Sequence, residues 1–188
     1  MNRKSKVLAL GCILALVLFL GSVALAAEVE PKMGQTVNYK FGKPMSDEDA
    51  KYLGLPKVED FTVKDVKAPY LLVEQFATTC PHCMAQAPIM NNIFSRVQQD
   101  PQLKDKVRFV AVGQGDAAEK VKMWKVFYKV AFPLIPDPNS TLGDALGFHP
   151  YPVTFVLDKN GKIVFLHIGE MQSGETDEIM KDLKTALK

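Results

Sequence analysis

The sequence predicts an α/β protein with a central mixed β-sheet flanked by helices. Two patterns point there. Apolar strand-like runs alternate with amphipathic helix-like ones, and a turn tetrapeptide, Asp158-Lys159-Asn160-Gly161, joins the last two strands into an antiparallel hairpin. Composition agrees. The chain has 188 residues, 47% of them hydrophobic, with 23 Lys and Arg against 21 Asp and Glu. That balance excludes a disordered chain and one that binds nucleic acid through bulk charge.

The first 26 residues read as a targeting segment. Asn2-Arg3-Lys4-Ser5-Lys6 is a basic start, Val7 to Leu25 is almost wholly apolar, and Ala24-Leu25-Ala26 fits a small-residue cleavage site. The apolar run is also long enough to span a bilayer if uncut. Cleaved signal and membrane anchor both remain open, and either places the rest of the chain in a periplasmic or other extracytoplasmic space.

Residues 27–60 form an N-terminal extension of loops or short strands, in which Ser46 and Asp49 suggest a capping box for a short helix reaching Leu53. Residues 56–68 read as irregular or hairpin. Tyr70–Phe76 is an apolar run expected as a buried strand. The next helix should start at Cys80 and turn Met90, Ile93, Phe94 and Val97 to one side. A second buried strand is expected over Val107–Val112, ending at Gly113-Gln114-Gly115. Asp116 and Glu119 can cap the following helix, with Ala117, Val121, Trp124 and Tyr128 on its inner face. Phe132–Ile135 suggests a short strand, and Ser140–Leu146 a short helix closed by Gly147. The hairpin pairs Val153–Leu157 with Ile163–Ile168. A terminal helix carries Ile179, Leu183 and Leu187 in register.

Cys12 lies in the targeting segment, which leaves the body of the chain with two cysteines, in Cys80-Pro81-His82-Cys83. A bridge between them would close almost no loop and so constrain the unfolded chain little, which favours a chemical role over a structural one. The spacing suits thiol exchange. The first cysteine sits at a helix N-terminus, where free N–H groups and the helix dipole favour a thiolate. The second, one turn on, can attack a mixed disulfide made by the first. Cys80 is therefore expected to be the exposed nucleophile and Cys83 the shielded resolving thiol. Glu74, among apolar neighbours in the strand, is expected to be buried, with a raised pKa suited to proton transfer. His82, next to Cys80, is placed to act on it electrostatically.

These residues resemble the thioredoxin superfamily. Glu74 stands six residues before Cys80, where that family carries a buried acid. Cys83-Met84-Ala85-Gln86-Ala87-Pro88-Ile89 is similar to the family's kinked active-site helix, and Tyr151-Pro152-Val153-Thr154-Phe155 to its cis-proline segment. The resemblance covers roughly Phe61 to Lys188, the expected thioredoxin-like domain. The tetrapeptide and Glu74 resemble DsbA. The overall plan resembles the TlpA/ResA branch, since the chain between Cys80 and Pro152 is too short for DsbA's larger helical insert. Thr78-Thr79 departs from both patterns, because TlpA-like proteins usually carry Trp before the first cysteine.

The resemblance implies a thiol–disulfide oxidoreductase, without cofactor or metal, acting as a monomer on protein thiols or disulfides and served by a membrane redox partner. It implies Cys80, Cys83, Glu74, His82 and Pro152 in the chemistry, and Pro81, Tyr151 and Val153 against the substrate. Phe148 could line the same groove or pack the core.

Other uses of the cysteines fit less well. A structural zinc site needs four ligands, and no second pair exists. Covalent haem would need His where Met84 stands. Peroxiredoxins carry Thr where this chain has Ala77. Copper(I), held by the thiolates with Met84 and His149, is the alternative that stays open, although copper-delivering relatives of the fold usually have one more residue between the cysteines. His167 and Trp124 read as ordinary packing residues.

Overall fold

The computed structural model describes residues 29–187; the targeting segment expected over residues 1–26, with Cys12, lies outside the described residues. Five strands form one sheet: β1 (Tyr70–Phe76), β2 (Val107–Gln114), β3 (Leu134–Asp137), β4 (Val153–Asp158) and β5 (Ile163–Ile168), in the order β3-β2-β1-β4-β5. β1 runs parallel to β2, and β2 to β3, while β4 is antiparallel to both β1 and β5. The helices are α1 (Asp47–Leu53), α2 (Pro81–Gln99), α3 (Ala118–Phe127), α4 (Thr141–Leu146) and α5 (Thr176–Ala186). The sheet is mixed and helix-flanked, as the alternation of patterns predicts.

Successive strand residues point to opposite faces, so each strand feeds two cores. Leu72 and Phe76 of β1 join Phe109, Val156, Met90, Ile93, Trp124 and Leu183 on one face. Leu71 and Val73 join Val110, Phe155, Phe41, Leu53, Phe61 and Leu142 on the other. The same period fixes the polar residues of β1. Glu74 shares the face of Leu72 and Phe76, under α2, and Gln75 shares the face of Leu71 and Val73. Both sit in mid-sheet and are buried. The backbone of Gly113 lies so near Val121 that an added Cβ would come within 2.7 Å of it, which lets α3 seat against the Phe76–Trp124 ring pair.

Residues 34–41 pack onto the sheet. Gly34 N donates to Ile163 O at 2.8 Å, Ile163 N to Gln35 O at 2.8 Å, and Val37 N to Gly161 O at 2.8 Å, so this segment lies along the β4–β5 turn. Gly161 holds φ +77°, and Val37 O would be 2.7 Å from a Cβ there, so a side chain is excluded on both grounds. Further on, Phe41 bridges Phe61, and their rings stack at 5.0 Å.

Four local expectations are corrected. β2 continues to Gln114, because Gly113 and Gln114 pair with Pro136 and Asp137. The expected strand at Phe132–Ile135 is displaced to Leu134–Asp137, since Phe132 turns its ring into the core beside Phe109. The box at Ser46 is half made. Ser46 Oγ accepts Asp49 N–H at 3.1 Å, but the Asp49 carboxylate is taken by Lys125 Nζ at 2.7 Å. α3 has no side-chain cap, Ala117 is exposed at its N-cap, and Asp116 turns instead to Thr78.

Candidate active site

Cys80 closes the loop that leaves β1 and is the N-cap of α2, with Pro81 exposed at the first helical position. Its sulfur accepts the Cys83 N–H at 3.2 Å, a donor left free at any helix start. Met84 N donates to Cys80 O at 3.0 Å and closes the first turn. Both thiols are free. Cys83 is 1% exposed, as expected for a shielded thiol, but Cys80 is only 6% exposed rather than open. Tyr151 roofs it: the Cys80 thiol faces Tyr151 O at 3.8 Å.

The Tyr151–Pro152 peptide is cis. Tyr151 is exposed and Pro152 buried. Val153 is wholly buried and pairs on both sides, with Gln75 of β1 and Ile168 of β5, so of the residues expected against a substrate it offers no free surface. Phe148 is buried in the core.

His82 has a partner that the expectation did not include. Its Nδ1 lies 2.7 Å from Glu170 Oε2, with the side chain 72% exposed, so the ring is drawn toward the Gly169–Met171 loop. The position beside Cys80 in the chain does not by itself aim the ring at the sulfur.

Glu74 is 6% exposed. Burial raises its pKa to about 7, against the opposing pull of a hydrogen bond from Gln86. That bond runs from Gln86 Nε2 to Glu74 Oε1 at 2.8 Å, while Gln86 Oε1 accepts Met171 N–H at 2.8 Å. Thr154 Oγ1, opposite Glu74 on β4, lies 3.4 Å from the same Nε2. Burial first, then the bond with Cys80 and the charges of Cys80 and Glu74, push the Cys83 thiol up. A shielded thiol held protonated therefore sits within electrostatic reach of a carboxyl that can take a proton near neutrality.

Three further polar residues hold this arrangement, and sequence reasoning missed their roles. Gln75 Nε2 faces the carbonyls of Phe148, His149 and Pro150 at 3.3, 3.4 and 3.0 Å. Gln114 Nε2 adds a bond to His149 O at 2.7 Å. Together they fix the loop that leads into Pro152. Asp116 is 3% exposed and accepts from Thr78 N at 2.6 Å and Thr78 Oγ1 at 2.7 Å, which anchors the loop into Cys80. The available signals were, for Gln75, an amide inside a strand apolar but for its neighbour Glu74, and, for Gln86 beside that Glu74, the step of three residues from Cys83 along one helix face.

The copper alternative gains no support. His149 Nε2 lies 3.2 Å from Asp144 Oδ1, and Met84 is exposed. Among the described residues no three His, Cys, Asp or Glu side chains group where a metal ion could be held. His167 sits in β5 opposite Thr154, and Trp124 packs on Phe76.

Comparison with known proteins gives the same reading of the architecture. The family described as Redoxin matches residues 45–184. The thiol-disulfide oxidoreductase ResA of Halalkalibacterium halodurans is 24% identical over 126 residues, covering 67% of this chain and 69% of that one. The thioredoxin-like protein YneN of Bacillus subtilis is 28% identical over 123 residues, covering 64% and 68%. Among solved structures, StoA from Bacillus subtilis aligns with a TM-score of 0.58 at 18% identity, covering 79% of this chain and 99% of StoA. A thioredoxin family thiol:disulfide interchange protein from Chlorobium tepidum aligns at 0.57 and 18%, covering 86% and 100%. These likenesses show a thioredoxin-like fold.

Proposed function

The chain belongs to the Redoxin family, and from that premise we propose that it is a thiol–disulfide oxidoreductase that exchanges two electrons with protein thiols through Cys80 and Cys83. The observation that carries the reading is the Cys80 sulfur itself. It accepts a helix N-terminal N–H at 3.2 Å, beneath the Tyr151 carbonyl and one helical turn from Cys83.

The step balances as follows. The Cys80 thiolate attacks one sulfur of a substrate disulfide. A Cys80–substrate S–S bond forms, the substrate's own S–S bond breaks, and the released thiolate takes a proton from solvent. Cys83 gives its proton to Glu74, directly or through water, and attacks the Cys80 sulfur. The mixed disulfide breaks, the second substrate sulfur leaves as a thiolate and takes a proton from Glu74 or from solvent, and Cys80–Cys83 is oxidised by two electrons while the substrate is reduced by two. Run backwards, the same steps oxidise a substrate dithiol. Burial favours this use of Glu74, since a neutral carboxyl is tolerated in the apolar interior and a proton gained from Cys83 suits it. Pro81 and Tyr151, exposed beside Cys80, are the residues we assign to substrate contact, with the backbone at Pro152.

The reading extends to place and partner. The basic start and apolar run of residues 2–25 support an extracytoplasmic site of action, by export or by anchorage, and a membrane redox partner to renew the pair. No helix among the described residues is long and apolar enough to cross a membrane.

Single serine variants test the roles. Cys83→Ser should accumulate mixed disulfides through Cys80, and Cys80→Ser should accumulate none, as read by mass spectrometry after mixing with a disulfide-bonded protein. Equal trapping by both variants would refute the assigned order.

A further inference from the structure

Beside the thiols lies an apolar groove that the exchange chemistry does not use. It is lined by Met84 of α2 and by Met123, Trp124, Val126, Phe127 and Tyr128 at the end of α3. Met123, Val126 and Phe127 are 71, 73 and 77% exposed, which is unusual for three large apolar side chains in one turn of a helix. Trp124 is the opposite case: it is 8% exposed, and its ring forms the floor against Phe76 and Tyr128. The inner face of α3 is thus satisfied by the core, and its outer face is apolar without a partner in the fold.

Two features of the groove name what would cover it. The first is continuity with the redox site. Thr78, two residues before Cys80, lines one end, and Met84, whose N–H closes the first turn onto Cys80 O, lines the side. The groove thus borders the sulfur to which a partner's reactive sulfur has to come. The second is charge. Lys120 and Lys122 line the groove and no acidic residue does. Asp116, whose carboxylate lies 3.8 Å from Lys120, is buried and occupied by Thr78, so it leaves the lysines facing the groove free to meet a partner's charge.

We propose that this groove docks the protein partner in thiol exchange through an apolar segment of that partner flanked by acidic residues and lying close to its reactive cysteine. The proposal rests on the oxidoreductase reading for why a partner comes to Cys80. The apolar anchors would fill the space between Met84 and Phe127, and the acidic flanks would meet Lys120 and Lys122. Selection would then come from α3 and not from the thiol pair, which reacts with any sulfur it can reach.

The sole tryptophan of the chain, Trp124, stands in the groove and reports its occupancy. Three cysteine-free probe peptides, titrated into the full chain, separate the ideas: apolar with Asp and Glu flanks, apolar with Lys flanks, and polar with Asp and Glu flanks. The first should shift Trp124 emission, bind at least about tenfold tighter than the polar peptide, the scale set by burying one or two large apolar side chains, and bind about two- to fivefold tighter than the Lys-flanked one, the scale of exposed ion pairs. Phe127→Ser together with Met123→Ser should erase the advantage over the polar peptide. Lys120→Ala with Lys122→Ala should erase the discrimination between acidic and basic flanks.

Equal binding of the three peptides, or an advantage that survives Phe127→Ser with Met123→Ser, overturns the proposal. Quenching of Trp124 by vesicles of brominated phosphatidylglycerol, without peptide discrimination, would make the face a membrane contact and also overturn it. Self-association that disappears in the same double variant would assign the face to a second copy and overturn it likewise. Turnover of a small disulfide by the wild-type chain is measured separately. Its absence would sink the oxidoreductase reading and leave the peptide result to judge the groove.

Discussion

Gln86 holds Glu74 by its amide nitrogen and not by its oxygen. The oxygen is committed to the Met171 N–H at 2.8 Å, so the NH2 group is the end that meets Glu74 Oε1, also at 2.8 Å. A donor in that place favours the carboxylate and opposes the burial that favours the neutral acid. The acidity of Glu74 is therefore a balance between the apolar face of β1 and one amide from α2.

Gln86→Met removes the donor and keeps the length of the side chain. The Glu74 pKa should rise above its value of about 7, and the pH profile of mixed-disulfide resolution should move to higher pH with it. Carboxyl titration by 13C NMR checks the first statement and stopped-flow kinetics the second. An unmoved Glu74 titration would show that the amide does not set the acidity.

The stability of the protein should depend on pH through the same carboxyl. Its folded pKa is about 7 against an ordinary 4.5, so the folded state holds the proton more tightly than the unfolded chain does. The favourable contribution is complete below pH 4.5 and is lost as the pH rises through 7. The loss approaches about 3 kcal/mol, at roughly 1.4 kcal/mol for each pH unit between the two values. Denaturant titrations of wild type and Glu74→Gln across pH 4–8 should diverge by that trend, with the variant the flatter. Parallel curves would place the Glu74 pKa near its ordinary value.

Asp116→Ala should destabilise the fold by about 2–3 kcal/mol, since it strips two short bonds from the Thr78 N–H and hydroxyl and leaves a part-buried donor unpaired. It should also loosen the approach to Cys80, seen as faster alkylation of that thiol. An unfolding free energy within about 0.5 kcal/mol of wild type, the range of an ordinary surface substitution, would contradict this.

His82 and Glu170 should move the redox potential in opposite directions. Glu170→Gln removes the anion bonded to the ring, so the charge that would offset the ring's effect on Cys80 is lost, which favours the Cys80 thiolate and makes the pair more oxidising. His82→Pro removes the ring and makes the pair more reducing, and proline is tolerated in the first helical turn. Shifts of tens of millivolts are the expected scale, with about 30 mV equal to about 1.4 kcal/mol for two electrons. Because the His82 side of the pair is largely exposed, stability should change by less than about 1 kcal/mol. Glutathione equilibration reads the potentials, and shifts of the same sign would remove His82 and Glu170 from the poise of the site.

How much of this was legible in the sequence follows from distance along the chain. β1 and β5 are legible with their observed residues, β4 lacks only Asp158 and α2 is legible by its start, because apolar periods, the cysteine spacing and the Asp-Lys-Asn-Gly turn are local signals. The two thiols, Glu74 and the segment at Pro152 could be named for the same reason, each sitting in a short recognisable string. What the sequence hid is pairing between distant side chains. Asp116 looks like a helix cap, and only the fold shows Thr78, 38 residues away, taking both its oxygens. His82 looks aimed at its neighbour Cys80, and only the fold brings up Glu170, 88 residues on. Gln75 carried a visible oddity, a neutral amide in a buried strand, but its three carbonyl partners lie in a loop whose path no local pattern encodes.

The bonds from residues 34–37 to the β4–β5 turn have a directional consequence. That turn lies at the end of the sheet where β1 begins, since Tyr70 pairs with Asp158, while Cys80 follows the other end of β1, where Gln75 pairs with Val153. A strand of seven residues separates the two poles, about 20 Å at ~3.3 Å per residue. Any leash attached ahead of residue 34 therefore leaves the body at the pole remote from the sulfurs. Fixed by that leash to a sensor chip or a bilayer, the molecule would stand with its reactive pole outward, where a large folded client can reach it without colliding with the support.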